Sequence, residues 1–217
     1  MTFILTVIGL AMVAYLLGSI PSAVWIGKGL HGIDVREHGS GNAGATNTFR
    51  VLGKTAGSIV LAMDILKGLM AASLIVFLKD EVDRNTFQWV NLQLLFGFIA
   101  VIGHLFPIFA QFKGGKGIAT LFGMIIAIHY PSALMCLALF MVVLFFTRYV
   151  SLGSILAAVS FPIGLVYIFH ERTPLFVAFA ITAAFLVILT HQKNIRKLVQ
   201  GTENKANILK YRDRRFM

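Results

Sequence analysis

The sequence predicts an all-α integral membrane protein, and three observations carry that prediction. Of its 217 residues, 58% are hydrophobic and only 13% are charged, and the mean hydropathy is +0.83. A soluble domain is about half apolar and about a quarter charged, so a very hydrophobic soluble core is the disfavoured alternative. Apolar stretches long enough to cross a bilayer also recur along the chain. We therefore expect a single transmembrane domain over residues 1–217 with seven transmembrane helices.

Seven apolar stretches define the predicted helices. They lie at 3–27, 52–78, 88–109, 118–130, 132–147, 152–169 and 175–190. The first lacks the basic segment that precedes the apolar part of a cleaved signal peptide, so we expect it to be retained. Near its end, Gly18 and Pro21 favour a kink or a close helix contact. The fourth and fifth stretches are short for membrane spans, and Pro131 separates them.

The distribution of Lys and Arg predicts the orientation. With the C-terminus inside, the outer loops hold only Lys79, Arg84 and Arg172. The positive-inside rule then places the N-terminus outside, the C-terminus in the cytoplasm and every glycine-rich loop on the cytoplasmic face. Residues 192–217 form a basic cytoplasmic tail in this prediction. The net charge of +10 fits anionic lipid headgroups, and no basic run carries the interleaved aromatics expected for nucleic acid.

The longest polar run before the tail is residues 36–50, which is rich in Gly, Asn, Thr and Ser and ends in Arg50. Glycine lets backbone N–H groups come close to an anion, and successive N–H groups in a tight turn can bind one. The planar guanidinium of Arg50 adds a two-pronged donor. We predict a phosphate cradle here, against the alternative of a simple turn between helices.

Two further polar stretches are predicted on the same membrane face. The second stretch places Lys113 and Lys116 among three glycines directly before an apolar helix, a pattern typical of an anion site at a helix N-terminus. The third, residues 191–205, begins with His191 and Asn194, which share one helix face if the helix continues. The convergence of three such stretches favours a functional site over three unrelated loops.

Two charged residues fall inside a predicted span. Asp64 and Lys67 are three apart and share a helix face, so either a structural ion pair or a substrate role fits them. His104 lies just before the second polar stretch and could support it. The single cysteine, Cys136, is expected to be a small buried hydrophobic residue. No His or Cys cluster has metal-ligand spacing, so we predict no metal and no cofactor.

Three motifs in the polar stretches resemble those of a known family. They are Ser40-Gly41-Asn42-Ala43-Gly44-Ala45-Thr46-Asn47 with Arg50, Lys113-Gly114-Gly115-Lys116-Gly117, and His191-x-x-Asn194-Ile195 with Gly201-x-Glu203. In this order they are similar to the three motifs of the bacterial acyl-phosphate:glycerol-3-phosphate acyltransferases of the PlsY type. The resemblance covers nearly the whole chain, but it does not explain the residues after Lys205.

The resemblance implies transfer of a fatty acyl group from an acyl phosphate to the 1-hydroxyl of sn-glycerol 3-phosphate. The products would be lysophosphatidic acid and phosphate, in the first step of phospholipid synthesis. It implies a multi-pass protein of the bacterial cytoplasmic (inner) membrane whose active site faces the cytoplasm. The implied partners are the two substrates and membrane lipid, with room for a soluble acyl-phosphate synthase upstream and no nucleic acid. An acyl phosphate is already activated, so we expect no covalent intermediate.

The resemblance also implies roles for individual residues. The implied catalytic set is Ser40, Arg50, Lys116, His191 and Asn194. The residues implied to bind substrate are Gly41, Asn42, Gly44, Ala45, Thr46, Asn47, Lys113, Gly114, Gly115 and Gly117. Ser151 and Ser154 join them because they share one face at the third cytoplasmic loop, and Gly201 and Glu203 are implied to be structural. Which glycine-rich loop holds which phosphate stays open.

A small membrane transporter of an anionic phosphorylated metabolite is the main alternative, with the same loops as its gate. Such a transporter should show binding residues near the membrane midplane and broken helices in repeated halves. A non-catalytic lipid-binding scaffold is a third hypothesis, and it leaves the clustered glycines unexplained.

Overall fold

A computed structural model describes residues 1–206, and every regular element in that range is a helix. The last residues of the predicted basic tail, 207–217, lie outside the described part. The α-helices are α1 (Thr2–Gly18), α2 (Ser22–His31), α3 (Ala45–Leu52), α4 (Lys54–Ser73), α5 (Phe87–Leu105), α6 (Ile118–Thr147), α7 (Val150–Tyr167), α8 (Pro174–Thr190) and α9 (Gln192–Val199). Short 3-10 helices lie between them, at Val35–Glu37, Leu74–Leu78 and Ile108–Ala110.

Local signals in the sequence explain several helix ends. The hydroxyl of Thr86 caps α5 by accepting from the backbone N–H of Trp89, and Pro174 occupies the first position of α8, where its missing N–H is harmless. Helix α2 ends at Gly32, whose φ of 67° lies in the left-handed region that glycine adopts readily. The predicted kink near Pro21 is confirmed, because α1 and α2 meet there at an angle of 43°.

Length and composition make several of these helices candidates for membrane spans. Within residues 1–206, four segments qualify singly: Lys54–Leu78, Phe87–Ala110, Ile118–Thr147 and Val150–Tyr167. The bent pairs α1 with α2 and α8 with α9 bring the number up to six if each pair counts as one span. This tally treats α6 as a single crossing.

Helix α6 nevertheless reverses direction in its middle. A straight helix of 30 residues is about 45 Å long. Both ends of α6 instead lie at one hydrogen-bonded group: Lys116, just before it, donates to Asn194, and Ser151, just after it, donates to Glu203, which also accepts from Asn194. His129 breaks the helix with φ −150° and ψ 80°, two residues before Pro131. We conclude that α6 is a hairpin with arms 118–128 and 130–147.

Small residues let the helices pack closely. A Cβ on Gly18 of α1 would lie 2.0 Å from the carbonyl oxygen of Ala100 in α5, which confirms the close contact predicted there. Gly68 of α4 and Gly123 of α6 mark a second such crossing, since added Cβ atoms would lie 2.0 and 1.9 Å from backbone oxygens of the opposite helix. Close contacts between small residues of this kind are typical of membrane helices.

Large apolar side chains divide between the core and the outer surface. A core with Phe161, Leu165 and Phe176 lies among α5, α6, α7 and α8, and each of these side chains is buried. Other large apolar residues point outward, among them Phe145 and Phe185, which expose 75% and 65%. Extensive exposed apolar surface of this kind suits contact with lipid rather than water.

Candidate active site

The three predicted polar stretches meet at one end of the helix bundle. We call residues 32–44, between α2 and α3, loop one, and residues 106–117, between α5 and α6, loop two. The two loops touch, because a Cβ on Gly115 would lie 2.9 Å from the carbonyl oxygen of Ala43. The segment after α8 joins them where Lys116 Nζ donates to Asn194 Oδ1. The structure therefore brings together the stretches that the sequence placed on one membrane face.

Arg36 ties loop one to loop two. Its guanidinium pairs with both carboxylate oxygens of Asp34, at 2.7 Å from Nη2 to Oδ2 and 3.0 Å from Nε to Oδ1. Its Nη1 also donates to the carbonyl oxygen of Ala110 over 3.0 Å. Hydrogen bonds from Arg36 hold the pKa of the Asp34 carboxyl well below its usual range. Arg36 is thus engaged by the protein, whereas the side chain of Arg50 is exposed at the end of α3.

Asn47 organises loop one from beneath. Its Oδ1 accepts from Ser40 N at 2.8 Å and from Ser40 Oγ at 3.1 Å. Its Nδ2 donates to the carbonyl oxygens of Val35 and His38, at 2.8 and 3.0 Å. All the hydrogen-bonding capacity of this buried amide is therefore used inside the loop. The resemblance implies that Asn47 binds substrate, but the geometry favours a role in holding the loop.

Loop one presents its small polar residues at the surface. Ser40 is exposed between Gly39 and Gly41, whose φ values of 63° and 73° lie in the left-handed region. The chain then enters α3, with Gly44 as the N-cap. The first helical residues are Ala45 and Thr46, so their backbone N–H groups belong to the unpaired first turn of a helix. Asn42 is partly buried beside Gly44, and a Cβ there would lie 2.9 Å from its Nδ2.

The glycines of loop two are required by its close approach to α5. Gly114 N and Gly115 N donate to the carbonyl oxygens of Leu105 and His104, each over 3.2 Å. A Cβ on Gly114 would lie 1.9 Å from the oxygen of His104, and one on Gly115 would lie 2.3 Å from His104 Nε2. These two N–H groups therefore face α5, and the expectation that His104 supports the loop is confirmed. The loop ends at Gly117, which precedes α6 with a φ of 81°.

Lys116 is the basic side chain of loop two that points into the site. Burial is the main reason that its pKa falls from 10.5 to about 8; Glu203 opposes this shift, whereas Arg50 and Lys197 add to it. Arg50 follows loop one on α3, whereas Lys116 belongs to loop two, so the two predicted phosphate-binding cations flank the loops that touch. Lys113 lies exposed at the edge of the same loop.

The third stretch begins where α8 and α9 meet at an angle of 63°. The buried ring of His191 lies at this junction with Nδ1 2.8 Å from the carbonyl oxygen of Val187. Because a carbonyl oxygen can only accept, Nδ1 carries a proton and Nε2 is the ring atom left for a ligand. Asn194 lies one turn further on and bridges Lys116 to Glu203.

Glu203 attaches the end of the described chain to the site through hydrogen bonds. Its Oε1 accepts from Asn194 Nδ2 at 2.8 Å and from Ser151 Oγ at 3.0 Å. Gly201, with a φ of 68°, turns the chain from α9 toward this position. The implied structural roles of Gly201 and Glu203 fit this geometry. Ser151 is engaged with Glu203 and Ser154 donates to its own helix, so neither hydroxyl proton is directed at a substrate.

Sequence reasoning missed one participant near the site, Ser22. The predicted Asp64–Lys67 pair forms, with 2.8 Å between Lys67 Nζ and Asp64 Oδ1. Ser22 Oγ donates to the same carboxylate oxygen over 2.9 Å. Its position just after Pro21, at the start of a helix, gives no signal for a partner 42 residues away.

The fold and the site together define a helical membrane protein whose glycine-rich and basic segments meet at one end of its helix bundle. The family model described as glycerol-3-phosphate acyltransferase matches residues 8–201. The chain belongs to the glycerol-3-phosphate acyltransferase family.

Relatives and solved structures agree with this assignment. The glycerol-3-phosphate acyltransferases of Chlorobium phaeovibrioides and Chlorobaculum tepidum are 41% and 43% identical to the chain. These matches cover 95% and 94% of this chain and 99% and 97% of the relatives. The glycerol 3-phosphate form of PlsY (YgiH), an integral membrane glycerol 3-phosphate acyltransferase, superposes with a TM-score of 0.81 at 35% identity, covering 93% of this chain and 96% of PlsY. Its lysophosphatidic acid form gives a TM-score of 0.76 at 34% identity, covering 92% and 94%.

Proposed function

We propose that this acyltransferase moves a fatty acyl group from an acyl phosphate to the 1-hydroxyl of sn-glycerol 3-phosphate. The products are lysophosphatidic acid and phosphate, and the reaction is the first step of phospholipid synthesis. One observation carries the proposal: Lys116 and two glycine-rich loops, the first followed by α3 with Arg50, meet at one end of an apolar helix bundle. Both substrates carry a phosphate and one carries a fatty chain, so they need paired anion sites beside lipid. PlsY, which is similar along nearly its whole length, has a glycerol 3-phosphate form.

The chemistry requires positioning more than a protein nucleophile. An acyl phosphate is a mixed anhydride, so the glycerol 3-phosphate hydroxyl forms the new C–O bond while the bond to the phosphate breaks. The hydroxyl proton passes to a substrate phosphate, and no covalent intermediate forms. The hydroxyl of Ser40 donates to Asn47, so Ser40 is not set up as a nucleophile, and His191 Nδ1 is bound to Val187, which leaves Nε2 for a binding role.

Charge stabilisation is the task of the two cations. Lys116 and Arg50 neutralise the phosphates as the leaving group gains charge. Asn194 fixes the ammonium of Lys116, and Glu203 fixes Asn194 in turn. His191 Nε2 orients a substrate oxygen, and the first turn of α3, at Ala45 and Thr46, supplies backbone donors.

The same proposal includes a topology of seven membrane crossings in the bacterial inner membrane. Counting the two arms of the α6 hairpin separately raises the six spans to seven. The ends of the chain then lie on opposite sides. In this orientation only Lys79, Arg84 and Arg172 fall in outer loops, which supports a cytoplasmic site and an outer N-terminus.

The test is phosphate release by the purified protein in lipid or detergent. Palmitoyl phosphate with glycerol 3-phosphate should release phosphate and form lysophosphatidic acid, whereas palmitoyl-CoA should give no product. R50A should lose turnover while remaining folded and inserted, and R172A, in the loop between α7 and α8, is the matched control. The proposal would be defeated if the protein used palmitoyl-CoA but not palmitoyl phosphate, or if R50A kept full activity. The proposal also requires an upstream synthase that supplies acyl phosphate.

The transporter alternative gains no support from the intramembrane charges. Lys67 borders a cavity of about 10 Å³, which holds at most a single water molecule. The transporter alternative would be supported if glycerol 3-phosphate were measured to enter sealed vesicles that carry the protein.

A further inference from the structure

Four buried polar side chains form one group directly below loop two. Ser22 lies on α2, Asp64 and Lys67 on α4, and His104 on α5, and none exposes more than 6% of its surface. We call them the buried charge cluster. Asp64 Oδ1 is their common centre, at 2.8 Å from Lys67 Nζ, 2.9 Å from Ser22 Oγ and 3.6 Å from His104 Nδ1.

The buried charge cluster connects three helices to the backbone of loop two. Lys67 Nζ also donates to the carbonyl oxygen of Ile20 over 2.9 Å, at the bend between α1 and α2. His104 approaches Gly115 in two ways: its carbonyl oxygen accepts from Gly115 N, and its ring nitrogen Nε2 would lie 2.3 Å from a Cβ at residue 115. His104 therefore links Asp64 to Gly115, the residue before Lys116.

The cavity beside the buried charge cluster is too small for a phosphate group to contact the cluster directly. The cavity between the cluster and loop two has a volume of about 10 Å³ and is lined by Lys67, His104, Gly114 and Gly115. A phosphate group is several times larger than one water molecule, so Lys67 cannot act as a substrate ligand here.

Stability alone is a weak reason for this ion pair. Moving two charges out of water costs several kcal/mol per ion, and well-packed apolar side chains of similar volume often serve equally well. The pair does something an apolar pair cannot: it orients Ser22, His104 and the carbonyl of Ile20 around one fixed point.

We propose that Asp64 and Lys67 are positioning residues that hold loop two, through His104, so that Lys116 lies beside Asn194. The inference rests on the proposed function for its kinetic consequence alone. Its structural consequence, the location of Lys116, is independent of the acyl donor.

The experiment compares D64N/K67M with Q93L. The double variant removes both charges at once and so leaves no unpaired buried ion. Gln93 is a matched control, because it is a buried polar residue of α5 that donates to Ala127 far from loop two. For each variant we would measure kcat and KM for both substrates, thermal unfolding, and the pH dependence of Lys116 acetylation by acetic anhydride, followed by peptide mass spectrometry.

In D64N/K67M we expect kcat/KM to fall on the order of tenfold or more, since misplacing reacting groups is costly. The midpoint of Lys116 labelling should rise from about 8 toward 10.5, because the ammonium leaves its partly buried position. Q93L should leave both quantities unchanged. An unmoved labelling midpoint in the folded double variant, or an equal kinetic loss in Q93L, would overturn the proposal.

A second variant covers the case in which the double variant does not fold. H104N keeps a polar group near Asp64 but removes the ring edge from beneath Gly115, so it must change the Lys116 midpoint. An unchanged midpoint in H104N refutes the positioning role. A wild-type protein inactive with acyl phosphate would defeat the donor assignment, whereas the labelling experiment needs no donor and decides the positioning role separately.

Discussion

Substitution of Gly115 by alanine tests the geometry of loop two most directly. The added Cβ would lie 2.3 Å from His104 Nε2 and 2.9 Å from the carbonyl oxygen of Ala43, where ordinary contact begins at 3.4 Å. Neither neighbour can retreat, because the His104 ring is buried beside Asp64 and the other atom is backbone. The loop itself must therefore move on the order of 1 Å, and Lys116 moves with it.

A displacement of about 1 Å in a catalytic group costs on the order of 100-fold in rate, or about 2.7 kcal/mol at 1.36 kcal/mol per decade. We expect kcat/KM of G115A to fall by about that factor in the phosphate-release assay. The matched control is G29A in α2, where nothing lies within 4 Å of the added Cβ. A G115A protein whose kcat/KM stays within about threefold of wild type would refute the reasoning.

Three further predictions follow from the contacts of single side chains. If protonated Lys116 binds phosphate, wild-type kcat/KM should fall as pH rises through about 8, and K116R should retain its activity to higher pH; a profile flat to pH 10 in the wild type would contradict this. The carboxylate of Glu203 raises the pKa of Lys116, so E203Q should move the alkaline limb of the same profile to lower pH, and a shift to higher pH would show that the coupling is wrong. N47L leaves the hydrogen-bond partners of one buried amide unpaired and should lower the free energy of unfolding by on the order of 2–4 kcal/mol. Calorimetry should therefore show a lower Tm for N47L than for the control N42L, whose amide is less buried.

Hydropathy and local chain breaks were enough to predict most of the helical framework. The break near Pro131 is an example, because the chain leaves the helical conformation at His129, two residues before the proline. Length and composition of the helices give at most six spans in residues 1–206, because Ile118–Thr147 is counted there as one span. The contacts of Lys116 and Ser151 with the same group show that its two arms run in opposite directions.

The sequence predicted that the three polar stretches meet, but not how their backbone and side-chain groups are used. Glycine and lysine spacing indicates an anion site, but the direction of a backbone N–H depends on what packs beside it. In loop two the N–H groups of Gly114 and Gly115 bind α5, which no local pattern could indicate. Likewise, the saturation of Asn47 depends on Val35 and His38, whose positions are set by a turn twelve residues earlier.

The hydrogen bond between Lys116 and Asn194 also bears on the order in which the protein matures. Loop one and loop two are synthesised long before α9, yet Lys116 acquires its partner only from the segment that follows α8. The ribosome must therefore translate past Glu203 before the site is complete. A premature stop just after Thr190 would leave a chain with its long apolar helices but without Asn194 and Glu203. During synthesis, the arrangement around Lys116 is therefore completed only after all the long apolar helices have been made.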